Sequence, residues 1–337
     1  MDVATLEVLR PWNRALADAG WAAPAWPSEH GGRDLDVAGQ LEYLEEMSRR
    51  DAPGPVNAIG VSNIAPAIMS WGTPAQQARF LGPMLRGDEI WSQGMSEPDA
   101  GSDLASLRTM AVADGDGFVI TGQKTWNSLG HLADWCQLYV RTDTAAPKHK
   151  GISCLIVDMR TPGIEVRPLQ TMTGDSSFAQ VFLSDVRVPV SSLLGPVNEG
   201  WRVAMTTLSH ERAGVAKLHL ALGRRLSRLR DELGPIEDPV LRNRMAAVHS
   251  RIACMRWMTE RALAGGGPGA TTGSLAKLAW SRAEQELAAF AVDALGMSGL
   301  DGPWAHFLCL ARQASIAGGT TEINRNIVAE QALGLPR

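Results

Sequence analysis

The feature that most constrains this chain is the confinement of its β-type runs to the middle third. Phe118-Val119-Ile120-Thr121, Cys136 to Val140, Ile152 to Val157 and Val181-Phe182-Leu183 are short and apolar. They are separated by turn sequences: Asp114-Gly115-Asp116-Gly117, Thr161-Pro162-Gly163 and Thr173-Gly174-Asp175. Strands this closely spaced leave no room for crossover helices, so they specify an antiparallel β-domain rather than βαβ units. The flanks are helical. Leu6, Leu9 and Leu16 share one face of a first helix; Leu41, Leu44, Glu45 and Met47 suggest a second, and Ile59 to Trp71 a third. Thr73 followed by Pro74 is a helix start, a hydroxyl N-cap before proline at the first helical position. Trp21 to Arg33, rich in Pro and Gly, is a loop. From Gly200 onward helices are expected at about 200–232, 238–264, 274–296, 303–316 and 321–333, with a loop at 265–273. No internal repeat interrupts this order. The fold class is α+β, with an N-terminal helical domain at 1–89, a central antiparallel β-domain at 90–194 and a C-terminal helical bundle at 195–337.

Composition removes several functional classes. At 337 residues and 45% apolar, the chain can build two or three cored domains. The net charge of −4 argues against a nucleic-acid or anionic-membrane surface as the main partner. Four cysteines (Cys136, Cys154, Cys254 and Cys309) lie far apart with no CxxC, which fits a reducing compartment. The N-terminus lacks a basic-then-apolar run, and no stretch reaches the ~18 uninterrupted apolar residues of a membrane span. A soluble cytoplasmic protein is expected. Common catalytic motifs fail as well. His210-Glu211 lacks the second histidine of HExxH because Gly214 stands there, and no serine sits in a GxSxG elbow. Neither GxGxxG nor GxxxxGK is present, and the seven histidines show no metal-ligand spacing, so no metal is expected.

Three segments remain. Met95 to Asp103 (MSEPDAGSD) suggests a tight turn presenting backbone N–H groups together with the hydroxyls of Ser96 and Ser102. Such a nest suits a flavin ring edge or a phosphate; read alone, the segment is more often a plain surface turn. Gly122 to Asp134 (GQKTWNSLGHLAD) puts Trp126 and Ser128 two apart in a strand, hence on one face. An indole beside a hydroxyl can stack on a planar cofactor, or simply fill a core. Ile316 to Asn326 (IAGGTTEINRN) offers Gly318-Gly319 for close backbone approach, ahead of a helix start that favours anionic groups.

Together with KGISCLIVDM, TPGIEVRPL and FLSDVRVP, in this order along nearly the whole chain, these segments resemble the acyl-CoA dehydrogenase family. The resemblance implies FAD held between the β-domain and the C-terminal bundle, and an acyl-CoA thioester against the flavin. By position, Gln93, Met95, Ser96, Gly101 and Ser102 would line flavin and thioester, and Trp126 and Ser128 would pack on the isoalloxazine. Thr320 and Glu322 would contact the diphosphate and ribose region. Leu295, Gly296 and Gly299 fall where the family places a loop that reaches a partner subunit's FAD. A homodimer or homotetramer is implied, with a paired non-identical subunit also open, and an electron-transfer flavoprotein as acceptor.

The implied reaction, α,β-dehydrogenation, needs a base for the α-proton, a hydride acceptor at flavin N5 above Cβ, and hydrogen bonds to the developing enolate. Most relatives carry the base in a Tyr-Glu-Gly-Thr stretch. Here the sequence is Ala317-Gly318-Gly319-Thr320, so Gly318 occupies the glutamate position and leaves only its backbone N–H for the thioester oxygen. Isovaleryl and long-chain relatives take the base from an earlier helix, and Leu208-Ser209-His210-Glu211-Arg212 matches that place. Glu211 is then the base, against the plain alternative of a solvated Glu-Arg pair, and Arg212 is a residue on the substrate side. Relatives usually carry a further helix before the segment that here starts at Met1; its absence is expected to reflect either a truncated gene model or a rim left open for a bulky acyl group. Residues 233–242 depart from the family's Arg-Gln-x-Phe-Gly pattern, for which Arg242 or Arg244 could substitute. Ile64, Met69, Met205 and Leu208 could shape the acyl pocket, or be plain core. A flavin monooxygenase on the same fold and a non-catalytic subunit of a heteromer are the alternatives to a dehydrogenase.

Overall fold

Apolar periodicity and turn chemistry are realised in a computed structural model that describes residues 2–215, 218–263 and 271–336, with side chains for 2–210, 218–262 and 271–336. By contacts the chain forms two units. One comprises residues 1–36 and 53–210, the other 37–52 and 211–337. The expected boundaries at 89/90 and 194/195 therefore separate element types rather than contact units.

In the first unit, α1 (Val3–Asp18) buries Leu6, Asn13 and Leu16 on one stripe, as the leucine spacing predicts. The segment expected as one helix over 59–71 starts with a π-helical turn, Gly60–Ile64, and continues as α3 (Ala65–Trp71). Helix α4 (Pro74–Arg86) opens with a complete capping box: Thr73 caps Gln76 N–H, and the Gln76 side chain returns to Thr73 N–H. The other end of that glutamine donates to the carbonyls of Ser191 and Leu193, which anchors α4 on the segment after the sheet.

The sheet has seven strands: β1 (Trp91–Gly94), β2 (Met110–Asp114), β3 (Gly117–Ser128), β4 (Trp135–Arg141), β5 (Ile152–Asp158), β6 (Ile164–Leu169) and β7 (Phe178–Pro189). The order is β1-β4-β2-β3-β7-β6, with β5 also on β4. Pairing is antiparallel except for β1 along β4 and a single β2–β4 pair, so the expected antiparallel domain carries one parallel edge. The apolar runs marked β3, β4, β5 and β7 but not β1, β2 and β6. Those three are short, and polar or largely exposed. Strand β6 lies at the sheet's end, where Pro168 costs no ladder bond. The β2–β3 hairpin turns on Gly115 at φ 59°. Gly117 is required at the start of β3, since a Cβ there would stand 2.3 Å from the Val188 carbonyl oxygen. The sheet core comprises Ile120, Leu138, Val140, Leu155, Val181 and Val186, among others.

The expected helix over 200–232 is two segments, α5 (Gly200–Val215) and α6 (His219–Leu233). With α2 (Val37–Arg49), α7 (Pro239–Leu263), α8 (Thr272–Leu295), α9 (Gly302–Leu310) and α10 (Thr321–Gln331), α6 belongs to the second unit. Its core joins Leu222, Leu226, Leu229, Ile252, Leu287, Phe290 and Phe307. Helix α2 contacts α6, where Asp51 just beyond it receives Arg224 and Arg228. Most of the loop expected at 265–273 lies outside the described residues, and α8 begins at Thr272. Among the described residues no helix is long and apolar enough to cross a membrane.

One buried amide joins α4 to the sheet. Asn57 donates to the carbonyls of Met84 (3.1 Å) and Glu89 (3.0 Å) and accepts from Trp91 N–H (3.1 Å). Asn57→Ala strands the Trp91 N–H and the Glu89 carbonyl, the Met84 carbonyl keeping the Gly87 N–H, at about 1–3 kcal/mol per orphaned group before relaxation, so a loss of about 3 kcal/mol is expected in denaturant unfolding.

Candidate active site

The turn after β1 is fixed by a buried ion pair. Glu97 and Ala100 exchange backbone hydrogen bonds of 3.0 and 3.1 Å, which closes the MSEPDA turn. Lys124, fully buried on β3, donates to Glu97 Oε1 (2.9 Å) and to the Met95 carbonyl (3.1 Å). The same carboxylate accepts from the N–H groups of Arg108 (2.6 Å) and Thr109 (2.8 Å). Thr125 N–H donates to the Ser96 carbonyl at 2.9 Å, so Met95, Ser96 and Glu97 at the start of the turn are all tied to β3. Burial works against ionisation of Glu97. The Lys124 ammonium and the bonds from Thr109, Lys124 and Arg108 outweigh it and hold the carboxyl below the usual glutamate range. Arg141, also buried, gathers the carbonyls of Ala105 (2.6 Å), Leu107 (3.3 Å) and Lys148 (2.7 Å), and so fixes the chain beyond the turn.

Immediately after Lys124 the register of β3 on β7 slips, and Trp126 adopts φ 62°. For a bulky residue this conformation costs about 1–3 kcal/mol. The bulge turns Asn127 into the core and leaves Trp126 and half-buried Ser128 on the outer side. Trp126 is 55% exposed, and its ring meets that of Phe178 edge-on at 5.7 Å and 81°. An outward-facing indole is able to stack on a flat aromatic ligand. Gln93, half-buried on β1, has its Oε1 3.5 Å from Asn63 Nδ2, while its Nε2 is buried and unpartnered among the described residues. Around Gly101 there is open space, and Ser102 is exposed. Stacking face, orphaned donor and open turn together fit an isoalloxazine ring.

In the second unit, Gly318 and Gly319 take φ 67° and 90°, the left-handed region, ahead of α10. Thr320 caps that helix, its Oγ1 accepting Ile323 N–H at 3.2 Å. Asn324 reaches back to the carbonyls of Gly319 (2.8 Å) and Thr320 (3.0 Å). Glu322 is exposed in the first turn, and its own backbone N–H and the Thr320 hydroxyl hold its carboxyl below the usual range. Leu295 ends α8, Gly296 caps it at φ 59°, and Gly299 packs so closely that a Cβ would stand 2.9 Å from Val292 Cα. Met297 and Leu300 are exposed on this corner. Of the two arginines expected as substitutes at an inter-subunit contact, Arg244 pairs with Asp293 at 2.7 Å and Arg242 is exposed. Ile64 is core; Met69, Met205 and Leu208 are half-buried. The side chains of Glu211 and Arg212 lie outside the described residues; their backbone belongs to α5.

The structure thus gathers Gln93, Met95, Ser96, Trp126 and Ser128 around β1 and β3, and Gly318, Thr320 and Glu322 at the start of α10. Motif reading passed over Glu97 and Lys124, although both stand inside the quoted segments. The signal was a lysine at a core-facing strand position, which demands a buried carboxylate. Among the described residues no group of three or more His, Cys, Asp or Glu could hold a metal.

Comparison with known proteins agrees with this layout. The acyl-CoA dehydrogenase N-terminal, middle and C-terminal domain descriptions match residues 2–88, 92–186 and 198–333. The acyl-CoA dehydrogenase IpdE1 of Mycobacterium tuberculosis is 40% identical over 98% of this chain and 89% of its own length. Among solved structures, the Tcur3481-Tcur3483 steroid ACAD aligns with TM-score 0.89 at 32% identity, over 98% of this chain and 90% of that one. The ChsE4-ChsE5 complex of M. tuberculosis aligns with TM-score 0.87 at 32% identity, again over 98% and 90%. The chain belongs to the acyl-CoA dehydrogenase family, FAD-dependent oxidoreductases of lipid degradation.

Lys124→Met leaves Glu97 buried without its cation and should destabilise the first unit by about 3–5 kcal/mol. The pH profile gives a second readout. In the parent the depressed Glu97 pKa contributes stability that is complete above the unfolded value of ~4.3 and is lost as pH falls through the folded value. In the variant burial dominates, the carboxyl moves up, and this acid-side loss should disappear from melting curves taken against pH.

Proposed function

We propose that this chain dehydrogenates an acyl-CoA thioester at Cα–Cβ, with Glu211 as the base. Gly318 carries the reading. At the position where most relatives bring the carboxylate, this chain has a glycine at φ 67°, followed by a second left-handed glycine. No proton can be taken there, whereas Glu211 on α5 stands at the family's alternative position. The Gly318 N–H still donates to the thioester oxygen, because a backbone amide does not need the missing side chain. Negative charge gathers on that oxygen as the α-proton leaves, so the donor strengthens in the transition state and lowers the barrier. Bound FAD supplies the acceptor for the hydride leaving Cβ.

The remaining residues bind and orient. Trp126 offers its open face to the isoalloxazine, and Ser128, Gln93, Met95 and Ser96 border the ring. Gly101 leaves room where the thioester passes, and Ser102 and Arg212 lie on the substrate side. Thr320 and Glu322 take the diphosphate and ribose, while Leu295, Gly296 and Gly299 reach a partner subunit's cofactor. A bulky, steroid-type acyl group is supported by the solved relative that is called a steroid ACAD. An electron-transfer flavoprotein as acceptor, a homo-oligomer and a cytoplasmic location complete the reading. A second assembly is favoured by the two-protein names of both solved relatives: this chain pairs with a non-identical relative that completes the site.

Two measurements test this. Anaerobic titration of the purified protein with butyryl-, isobutyryl-, octanoyl- and a steroid-side-chain acyl-CoA should bleach the flavin with at least one of them. A colourless chain that becomes yellow on mixing with a paralogue would select the paired assembly. Glu211→Gln should keep its flavin spectrum and lose turnover by about 10²–10⁴-fold, the range for a general base; near-normal turnover would remove Glu211 from the mechanism.

A further inference from the structure

Lys277 takes no part in the chemistry above, yet it is 2% exposed in the second turn of α8. Its ammonium donates to the Ala314 carbonyl and lies 4.9 Å from the centre of the Trp280 ring. A buried ammonium is expensive to desolvate, so a chain that keeps one gains something a methionine would not provide. Two turns further along α8, Gln285 Nε2 donates to Ser315 Oγ at 3.0 Å. Two side chains of one helix thus hold consecutive residues, Ala314 and Ser315, at the end of the 3-10 turn Ala311–Ser315.

The glycine nest lies directly beyond that turn. The N–H groups of Ile316 and Ala317 both bond the Gln313 carbonyl, at 2.8 and 2.9 Å, and the next residue is Gly318. Downstream, Asn324 holds the carbonyls of Gly319 and Thr320. Two adjacent left-handed glycines have wide conformational freedom, so nothing in their own chemistry fixes where the Gly318 N–H points. The direction must come from the two anchored ends.

We infer that Lys277, assisted by Gln285, is a positioning residue for the Gly318 N–H, clamping the chain entering the nest so that this donor meets the thioester oxygen. The inference rests on the dehydrogenase reading above and adds to it the device that aims the donor. The clamp uses a carbonyl acceptor and a hydroxyl, so it leaves every N–H of the nest available. Glu284 lies on the same stretch of α8, where burial pushes its carboxyl up against the opposing pull of the Trp280 indole and the Arg225 and Lys277 charges.

The test uses the flavin-loaded protein as Lys277→Met and, separately, Gln285→Leu. With an acyl-CoA that the parent oxidises from the panel above, kcat per bound flavin should fall about ten- to a hundredfold in Lys277→Met, the scale of a misplaced catalytic group. KM should stay within about threefold, since the lost interaction belongs to the transition state. Gln285→Leu, which disturbs no charge, should show the same split to a smaller degree, and decides the matter if Lys277→Met does not fold. The second readout is the infrared stretch of the corresponding 2-enoyl-CoA product, labelled with carbon-13 at its carbonyl and bound to oxidised enzyme. Its shift to lower wavenumber on binding should shrink in both variants. A lowered Tm or flavin content with unchanged kcat per flavin and an unchanged carbonyl shift makes Lys277 merely structural and overturns the inference alone. A parent enzyme that oxidises no member of the panel overturns the dehydrogenase reading, and this inference with it.

Discussion

The buried pair between Glu97 and Lys124 is the interaction on which the first unit's site depends. One carboxylate takes an ammonium from β3 and two backbone N–H groups from the start of β2's approach, Arg108 and Thr109. Taking both charges out of water is costly, and only this full set of partners offsets it. The consequence is geometric. The Met95–Asp103 turn cannot slide along β3, and the bulge that begins at Lys124 cannot move without breaking the pair. Trp126 therefore keeps an unfavourable backbone conformation with its ring turned outward. Strain of this kind persists only where its surroundings over-determine it.

The second unit reaches rigidity by another route. Its glycine nest has no side chain to pack, so order is imposed from outside: α8 through Lys277 and Gln285 on one side, Asn324 and the Thr320 cap on the other. Replacing a glutamate by Gly318 removes a proton acceptor but frees the backbone to turn through φ 67° and 90° in succession. A nest of this kind presents amide donors without competing carbonyls, which suits an oxygen that gains charge during reaction. In the proposed mechanism the missing side chain and the nest go together, with Glu211 taking the role of base.

Much of this was legible in the residues alone. The Thr73-Pro74 helix start, the one-faced leucines of α1 and the turns around Gly115 and Gly163 follow from local sterics and hydrogen bonding, which neighbouring residues decide among themselves. Ordered motifs likewise carried the family assignment. Strands β1, β2 and β6 escaped because their pairing, not their hydrophobicity, makes them strands: Trp91 to Gly94 is extended because β4 accepts it. Helix α2 looked like part of an N-terminal domain, but Asp51 beyond it binds Arg224 and Arg228, distant in sequence, and contacts assign it to the other unit.

Sequence alone thus determined the kinds of element, their order, the missing carboxylate at Gly318 and the candidate at Glu211, since each is a matter of residue identity or short-range pattern. It could not determine that Lys124 is buried against Glu97, that Trp126 faces outward while Asn127 faces in, or that Lys277 meets the carbonyl of Ala314. Those facts depend on a one-residue register slip and on side chains far apart in the chain meeting in a low-dielectric interior. There, the cost of an unpaired group rather than the local preference of a residue decides the arrangement.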